Sequence, residues 1–330
     1  MSKAIRATLP TLLALAWMCI SVLGQGGVAN STKNPKQIAI LHWYPINLTT
    51  NFAVGAINQG VLFDGTNLWV TTKNDTVVKV RPSDGHVLGT FGPFSAGVGS
   101  MAFDGANVWI TTSGNNILQK VRASDGALIG QFGGGGSSIL FDGANIWWTN
   151  GNAISNLAKV RASDGQRLAI FDIGSRVCRG TTGLAFDGAN IWVAYAGCDT
   201  NGAPLNTVTK MRASDGTVLG TFPVGKSPLG VIFDGANIWV ANNGDNTVTK
   251  LRASDGAPLG TFPAGTFPEE MVFDGANIWV TNHATTELIE LRASDGALLA
   301  TWQPGGFPSH LAFDGAHIWA TGIGSGLGKL

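Results

Sequence analysis

Apolar residues come in short runs rather than long amphipathic stretches, and each run is closed by a polar pair that turns the chain. The unit near the fifth copy shows the pattern: residues 230–233 are apolar, Asp234-Gly235 marks a turn, and 237–241 is a strand containing Trp239. Residues 247–252 alternate, Ser254-Asp255-Gly256 turns again, and 259–262 closes the unit. Strand-length runs joined by Asp-Gly turns predict four antiparallel strands in one sheet. The second run, Ile-Trp-Val, lacks polar alternation, as expected of a strand covered on both faces.

That unit recurs. Phe-Asp-Gly-x-(Asn/His)-(Leu/Val/Ile)-Trp begins at Phe63, Phe103, Phe141, Phe186, Phe233, Phe273 and Phe313. Between the copies lies Arg-(Pro/Ala)-Ser-Asp-Gly, at Arg81, Arg122, Arg161, Arg212, Arg252 and Arg292. Four-stranded units repeating about every 40 residues predict an all-β, seven-bladed β-propeller of antiparallel blades. After Phe313 only 17 residues remain. The N-terminal stretch aligns without gaps to the unit ending at Phe273, with Leu41 on Leu251, Phe52 on Phe262, Gly55 on Gly265 and Phe63 on Phe273. The N-terminus is therefore expected to supply the outer strands of the seventh blade and the C-terminus its inner half, which removes open sheet edges.

Trp279-Val280-Thr281-Asn282, Trp147-Trp148-Thr149-Asn150 and Trp239-Val240-Ala241-Asn242 resemble the Tyr-Val-Thr-Asn strand of YVTN repeats, with Trp for Tyr. The resemblance spans residues 37–330 and implies the propeller fold. NHL-type and streptogramin-lyase relatives of that superfamily include binding scaffolds and enzymes, so it does not imply one activity.

Composition sharpens this picture. The chain has 46 glycines among 330 residues, 44% hydrophobic and only 13% charged residues, with 21 basic against 21 acidic side chains. It can bury a core, which excludes wholesale disorder. Its balanced charge gives no footprint for nucleic acid, which is bound chiefly through phosphate neutralisation. Residues 1–24 carry Lys3 and Arg6, then an apolar run over 9–23, and read as a secretory signal. The run is short for a membrane span of roughly 20 residues. Residues 25–36 read as a flexible linker and 37–330 as one propeller domain. The expectation is an exported monomer, secreted or periplasmic, with no transmembrane domain in the mature chain.

Thirteen of the 21 acids belong to the repeated Asp-Gly turns, where a carboxylate accepts local backbone N–H bonds. Eight remain for other chemistry: Asp75, Asp172, Asp199, Asp245, Glu269, Glu270, Glu287 and Glu290. Propeller topology puts the Asp-Gly turns on one face, and the two-to-three loops and inter-blade connections on the other. Length variation is confined to the second set, so that face is the candidate functional one. Its lengthened loops, 175–183 and 195–206, hold Cys178 and Cys198, a candidate disulfide in an exported protein. It would close a loop of about 21 residues, worth roughly 3 kcal/mol in the chain-entropy model. Arg176 and Arg179 make the first of these loops locally basic.

The first strand of a blade starts with a small residue at Gly60, Ser100, Ser138, Gly183 and Gly230, but with Glu270 and His310 in the last two. Innermost strands line the central channel, so these two side chains are expected as neighbours at its mouth, with Glu269 beside the first and His283 on the adjacent loop. A carboxylate with two imidazoles suits either metal ligation or acid–base work. Streptogramin lyases and propeller lactonases, which the chain resembles, use His and carboxylate residues around this mouth. His42, His86 and His317 are read as structural. No HExxH, CxxC, G-x-S-x-G or phosphate-loop motif is present.

Two functional expectations follow. The first is a binding scaffold that needs no cofactor and meets a protein or small-molecule ligand on the variable-loop face, through Lys73, Arg176, Arg179, Lys226, Asp245, Glu269, Glu270, His283 and His310. The second is a lyase or lactonase-like hydrolase at the channel mouth of blades 6 and 7. There Glu270, His283 and His310 would hold a divalent metal or act as acid and base.

Overall fold

A computed structural model describes residues 50–330 apart from 56, 95–96, 150–155, 174–180, 198–203, 284 and 324–325. They lie in one compact unit spanning Pro45–Leu330. Every regular element among them is a β-strand, and the strands form seven four-stranded antiparallel sheets. Blade 5 is representative: Pro228–Phe233, Asn237–Asn242, Thr247–Arg252 and Pro258–Pro263, in spatial order. The first strand of each blade contacts the first strands of its two neighbours all the way round, and blade 7 touches blade 1, so the ring is closed. The protein is a seven-bladed β-propeller.

Closure differs from the sequence expectation in one respect. The last sheet contains three strands from the C-terminal end, Leu311–Phe313, Ile318–Ile323 and Gly326–Lys329, and one from the N-terminal side, Thr50–Phe52. The expected partition was two and two. A short hairpin after Ile323 brings Gly326–Lys329 back onto its own chain, and a local turn closes at much lower entropic cost than a return from the far end of the sequence. Leu41, aligned with a third strand, lies outside the described residues. Phe52 does occupy the place of Phe262: its ring lies 5.6 Å from Trp319, as Phe262 lies 5.8 Å from Trp239.

The repeated residues act as one locking unit. The Trp Nε1 donates to the Asp carboxylate five residues earlier in all seven blades, for example Trp239 to Asp234 at 2.8 Å. The same carboxylate accepts the N–H groups of Ala236 and Asn237 at 2.9 and 2.6 Å. Partial burial pushes such an acid up. The bonds outweigh it, and Asp104, Asp142, Asp187, Asp234, Asp274 and Asp314 are held below the ordinary carboxylate value.

The tryptophans fill the inter-blade spaces. Trp239 is fully buried and packs with Ile278, Val280 and Leu291 of blade 6. The fourth-strand Phe of each regular blade stacks on that blade's Trp and covers the Ser-Asp-Gly glycine of the next. A Cβ on Gly296 (φ +74°) would fall 2.3 Å from the ring of Phe262, so this glycine is required by backbone conformation and by space.

A lysine joins consecutive blades. Lys250 lies 5.0 Å above the Trp239 ring and donates to the Ala293 carbonyl in the next blade at 2.6 Å. Lys79, Lys120, Lys159 and Lys210 repeat both contacts. Lys329 lies over Trp319 and reaches the Pro82 carbonyl of blade 1 at 3.4 Å, completing the circle. Blade 6 departs from this, with Glu290 at the lysine position and Trp302 at the phenylalanine position. Trp302 Nε1 and Asn277 Nδ2 both donate to the Glu290 carboxylate at 3.0 Å, and Trp302 packs 5.7 Å from Trp279. The neighbour of blade 6 here is blade 7, whose fourth strand comes from the other end of the sequence. Among the described residues blade 7 presents no Arg-Ala-Ser-Asp-Gly turn for a blade 6 lysine or phenylalanine to meet. Glu290, counted above among the acids available for chemistry, is a seam residue.

Candidate functional site

Seven equivalent first-strand positions surround the mouth of the central channel. Gly60, Ser100, Ser138, Gly183, Gly230, Glu270 and His310 all line a cavity of about 230 Å³. In blade 6 the pairing register jumps between Pro268 and Met271, so Glu269 and Glu270 form a bulge; blade 5 does the same between Pro228 and Val231. Bulges beside a cavity re-aim side chains off the sheet. Thr281 fixes this one: its Oγ1 accepts the Glu270 N–H at 3.0 Å. In blade 7 Thr321 accepts the His310 N–H at 3.2 Å through Oγ1, and its own N–H donates to the His310 carbonyl at 3.0 Å. Both threonines are fully buried, so the two functional backbones rest on rigid second strands.

Gly183 and Gly230 have a steric cause. A Cβ on Gly230 would come 2.4 Å from the Glu269 carbonyl oxygen, and one on Gly183 would come 2.2 Å from that of Leu229. Adjacent first strands approach too closely there for any side chain. Blades 6 and 7 leave room, and both use it.

The structure brings Glu270 and His310 together: Glu270 Oε2 stands 3.4 Å from His310 Nε2. The Glu270 side chain keeps 37% of its surface open, but that surface faces the cavity and its walls. Desolvation there, reinforced by the negative charge of Glu269, pushes the carboxyl from 4.5 up to about 8. Desolvation pushes His310 the other way, below its ordinary value, against a smaller opposing pull from Glu269. Both displacements favour the uncharged forms, a protonated carboxyl and a neutral imidazole. Nδ1 of His310 is buried with no hydrogen-bond partner.

His283 goes elsewhere. Its Nδ1 lies 2.9 Å from Glu269 Oε2, a second acid–imidazole pair that is largely exposed on the loop face. Among the described residues no group of three or more His, Cys, Asp or Glu is placed to hold a metal ion. The three-residue set Glu270, His283 and His310 thus appears as two pairs, each with its own carboxylate.

The remaining expected binding residues are spread around the loop face. Lys226 pairs with Asp245, Nζ to Oδ1 at 3.6 Å, and Asp245 also accepts the Lys226 N–H at 2.6 Å, so this acid shapes its loop. Asp75 does similar work in blade 1, accepting the Gly97 N–H at 2.7 Å. Glu287 accepts from Gln303 Nε2 at 3.4 Å. Lys73 is exposed on the two-to-three loop of blade 1. Arg176, Arg179, Cys178 and Cys198 lie outside the described residues, as does the disulfide expected between the two cysteines. His317 and His86 occupy turns as expected, their N–H groups bonded to Asp314 and Asp84 at 2.7 and 3.0 Å.

Two features escaped the sequence reading. Phe267 and Phe307 are 45% and 61% exposed, just ahead of Glu270 and His310. The signal was present as aromatic residues three places before the ring position, where blades 2 to 5 have glycine or serine and blade 1 has Ile57. The second is Asn282, fully buried with both amide atoms unpartnered. Its counterpart Asn242 donates to Thr247 and Thr249 at 3.0 and 2.8 Å. Blade 6 has Glu287 and Ile289 at those places, which removes the acceptors.

No protein-family model matches the chain, and comparison with curated proteins yields no match either. The class is therefore defined by fold and site alone: a β-propeller with an acid–imidazole pair at its channel mouth.

Proposed function

We propose that the protein is an exported propeller that binds a small polar ligand at its variable-loop face, over the channel mouth of blades 6 and 7. One observation carries this reading. Of seven equivalent channel positions, two adjacent ones carry functional side chains, and these stand 3.4 Å apart in one cavity whose other ring positions are glycine or serine. A concave site with convergent polar groups and displaced pKa values is a usual form of a ligand site. The signal-like residues 1–24 support export.

The same pair favours a second reading, an acid–base enzyme of the lyase or hydrolase kind. A carboxyl held protonated beside a neutral imidazole can give a proton at one atom and take one at the other. Catalytic zinc takes three protein ligands, whereas the described residues bring only Glu270 and His310 to the cavity, with His283 bound to Glu269. The enzymatic reading is accordingly one of proton transfer between Glu270, His310 and a bound molecule.

Titration with small hydroxyl- and amide-bearing compounds, followed by amide hydrogen exchange, tests the site. Binding should protect the first strands of blades 6 and 7 and be weakened tenfold or more by Glu270→Gln with His310→Asn. A compound that binds this double variant as tightly as the native chain would place the ligand site elsewhere.

A further inference from the structure

The position three residues before the channel ring turns aromatic where the ring turns ionisable. It holds Gly97 in blade 2, Gly135 in blade 3 and Ser227 in blade 5, with Gly180 in blade 4 and Ile57 in blade 1 by sequence. The equivalence of blades 2, 5 and 6 is fixed by hydrogen bonds: the carbonyls of Gly97, Ser227 and Phe267 accept the N–H groups of Ser113, Asn243 and His283 at 2.9, 3.1 and 3.0 Å. Blades 2 to 5 are therefore small at both positions, and blade 1 has Ile57 ahead of Gly60. Blades 6 and 7 have Phe267 with Glu270 and Phe307 with His310, so the aromatic residues fall in the same two neighbouring blades as the polar ring residues.

Neither phenyl is needed by the fold. Phe267 is 45% exposed and Phe307 61%, and neither belongs to the hydrophobic cluster around its blade. Phe267 also has φ +54°, a left-handed conformation that a bulky residue adopts only under constraint. The constraint is visible: its N–H donates to Asn246 Oδ1 at 2.9 Å and its carbonyl accepts from His283. Ser227 sits in the same conformation at φ +51°, with its N–H on Asn206 Oδ1 at 3.1 Å. The loop thus accepts serine equally well, and the phenyl is additional to what the loop requires. Such strain, where seen, points toward function.

We infer that Phe267 and Phe307 form an aromatic subsite at the lip of the channel for an uncharged molecule that joins an aromatic or similar apolar ring to a hydrogen-bonding group. This deepens the proposed function and rests on it. Phe267 and Phe307 each stand three residues before a channel side chain, at most about 10 Å away at roughly 3.3 Å per residue, so a ring held there leaves the polar end of a small molecule within reach of Glu270 and His310. An uncharged ligand is indicated by pairing at the mouth: Glu269 lies against His283, and Lys226 against Asp245. The upward displacement of Glu270 agrees, since a protonated carboxyl offers a donor without a net charge. Phenyl faces supply apolar area and ring stacking to such a ligand.

The test uses the whole protein with N-benzylacetamide as probe, read by saturation-transfer NMR and calorimetric titration. Comparison compounds are N-methylacetamide, which lacks the ring, benzoate, which is charged, and a methyl glucoside. N-benzylacetamide should bind at least tenfold more tightly than each of the three. The double variant Phe267→Ser with Phe307→Ser copies the residue of blade 5, so it should melt like the native protein and bind the probe at least tenfold more weakly. Undiminished binding by that variant, tighter binding of the glucoside, or no binding of the probe would overturn the inference. Glu270→Gln separates the two proposals. If the probe is lost with the phenylalanines and unaffected by Glu270→Gln, the aromatic subsite stands and the channel reading falls. If Glu270→Gln abolishes binding and the phenylalanine variant does not, the channel reading stands and the subsite falls.

Discussion

Blades 1 to 5 and blades 6 and 7 are built from the same repeat, and they differ in what they do with it. In the first five, a buried Trp bonded to a turn carboxylate, a lysine reaching the next blade and a phenylalanine over the next glycine recur with nearly constant geometry. Blades 6 and 7 break the pattern at two kinds of place. Glu290 and Trp302 face the seam, where the neighbouring turn is missing. Glu270 and His310 face the channel, and Phe267 and Phe307 are exposed three residues ahead of them. The comparison teaches that a departure from a repeat is not itself a functional signal; the direction in which the side chain faces decides whether it repairs the ring or serves a ligand.

The largest effect should come from the shared scaffold. Trp239→Ala should cost about 3–5 kcal/mol, the usual range for deleting a buried aromatic, measured by denaturant unfolding. Trp279, 8% exposed at the seam, should cost less when replaced in the same way. Equal losses would erase the distinction between regular and seam blades.

Next come the turn acids. Asp234→Asn removes the charge from a carboxylate that binds Trp239 and two backbone N–H groups, and should cost about 1.5–3 kcal/mol at neutral pH. Because the folded carboxyl is held below 3.8, this contribution is present above that pH and disappears as pH falls through the folded value. The gap between variant and native stability should therefore close in acid, and a gap that persists unchanged well below pH 3.8 would contradict the assignment.

A smaller change tests the seam directly. Glu290→Lys restores the repeat where no carbonyl awaits it and removes the acceptor of Trp302 and Asn277, so it should destabilise by about 1–3 kcal/mol. Stabilisation by this return to the consensus would show that Glu290 is not an adaptation to blade 7.

The smallest effect is one of slope. The Glu270 carboxyl is raised from 4.5 to about 8, so its protonated form is the one the folded channel favours. That contribution is complete below 4.5, declines as pH rises and is lost above about 8. Glu270→Gln should flatten the melting temperature over that window relative to the native chain. Parallel pH profiles would mean that the channel does not desolvate Glu270.

Much of this was legible in the chain. Seven Phe-Asp-Gly copies and six Arg-x-Ser-Asp-Gly copies specify blades, turns and strand order, and Phe52 aligned with Phe262 announced closure before any coordinates. The substitution of Glu270 and His310 for small residues was equally visible. The pairing of His283 with Glu269 was not, because their separation in sequence carries no spacing rule and only the fold sets which carboxylate each imidazole meets. Nor could the sequence distinguish Glu290 from Glu270, both acids standing where a repeat has something else.

The sequence by itself determined the blade, since a turn carboxylate, a tryptophan five residues on and strand-length apolar runs act locally and need no distant partner. Tertiary structure decided what depends on contacts between blades: three strands plus one at the seam, the lysine that has a carbonyl and the glutamate that takes its place where none exists. It also decided the chemistry at the channel mouth. Burial among first strands that only the closed ring brings together, with the charge of Glu269, pushes the Glu270 carboxyl up to about 8.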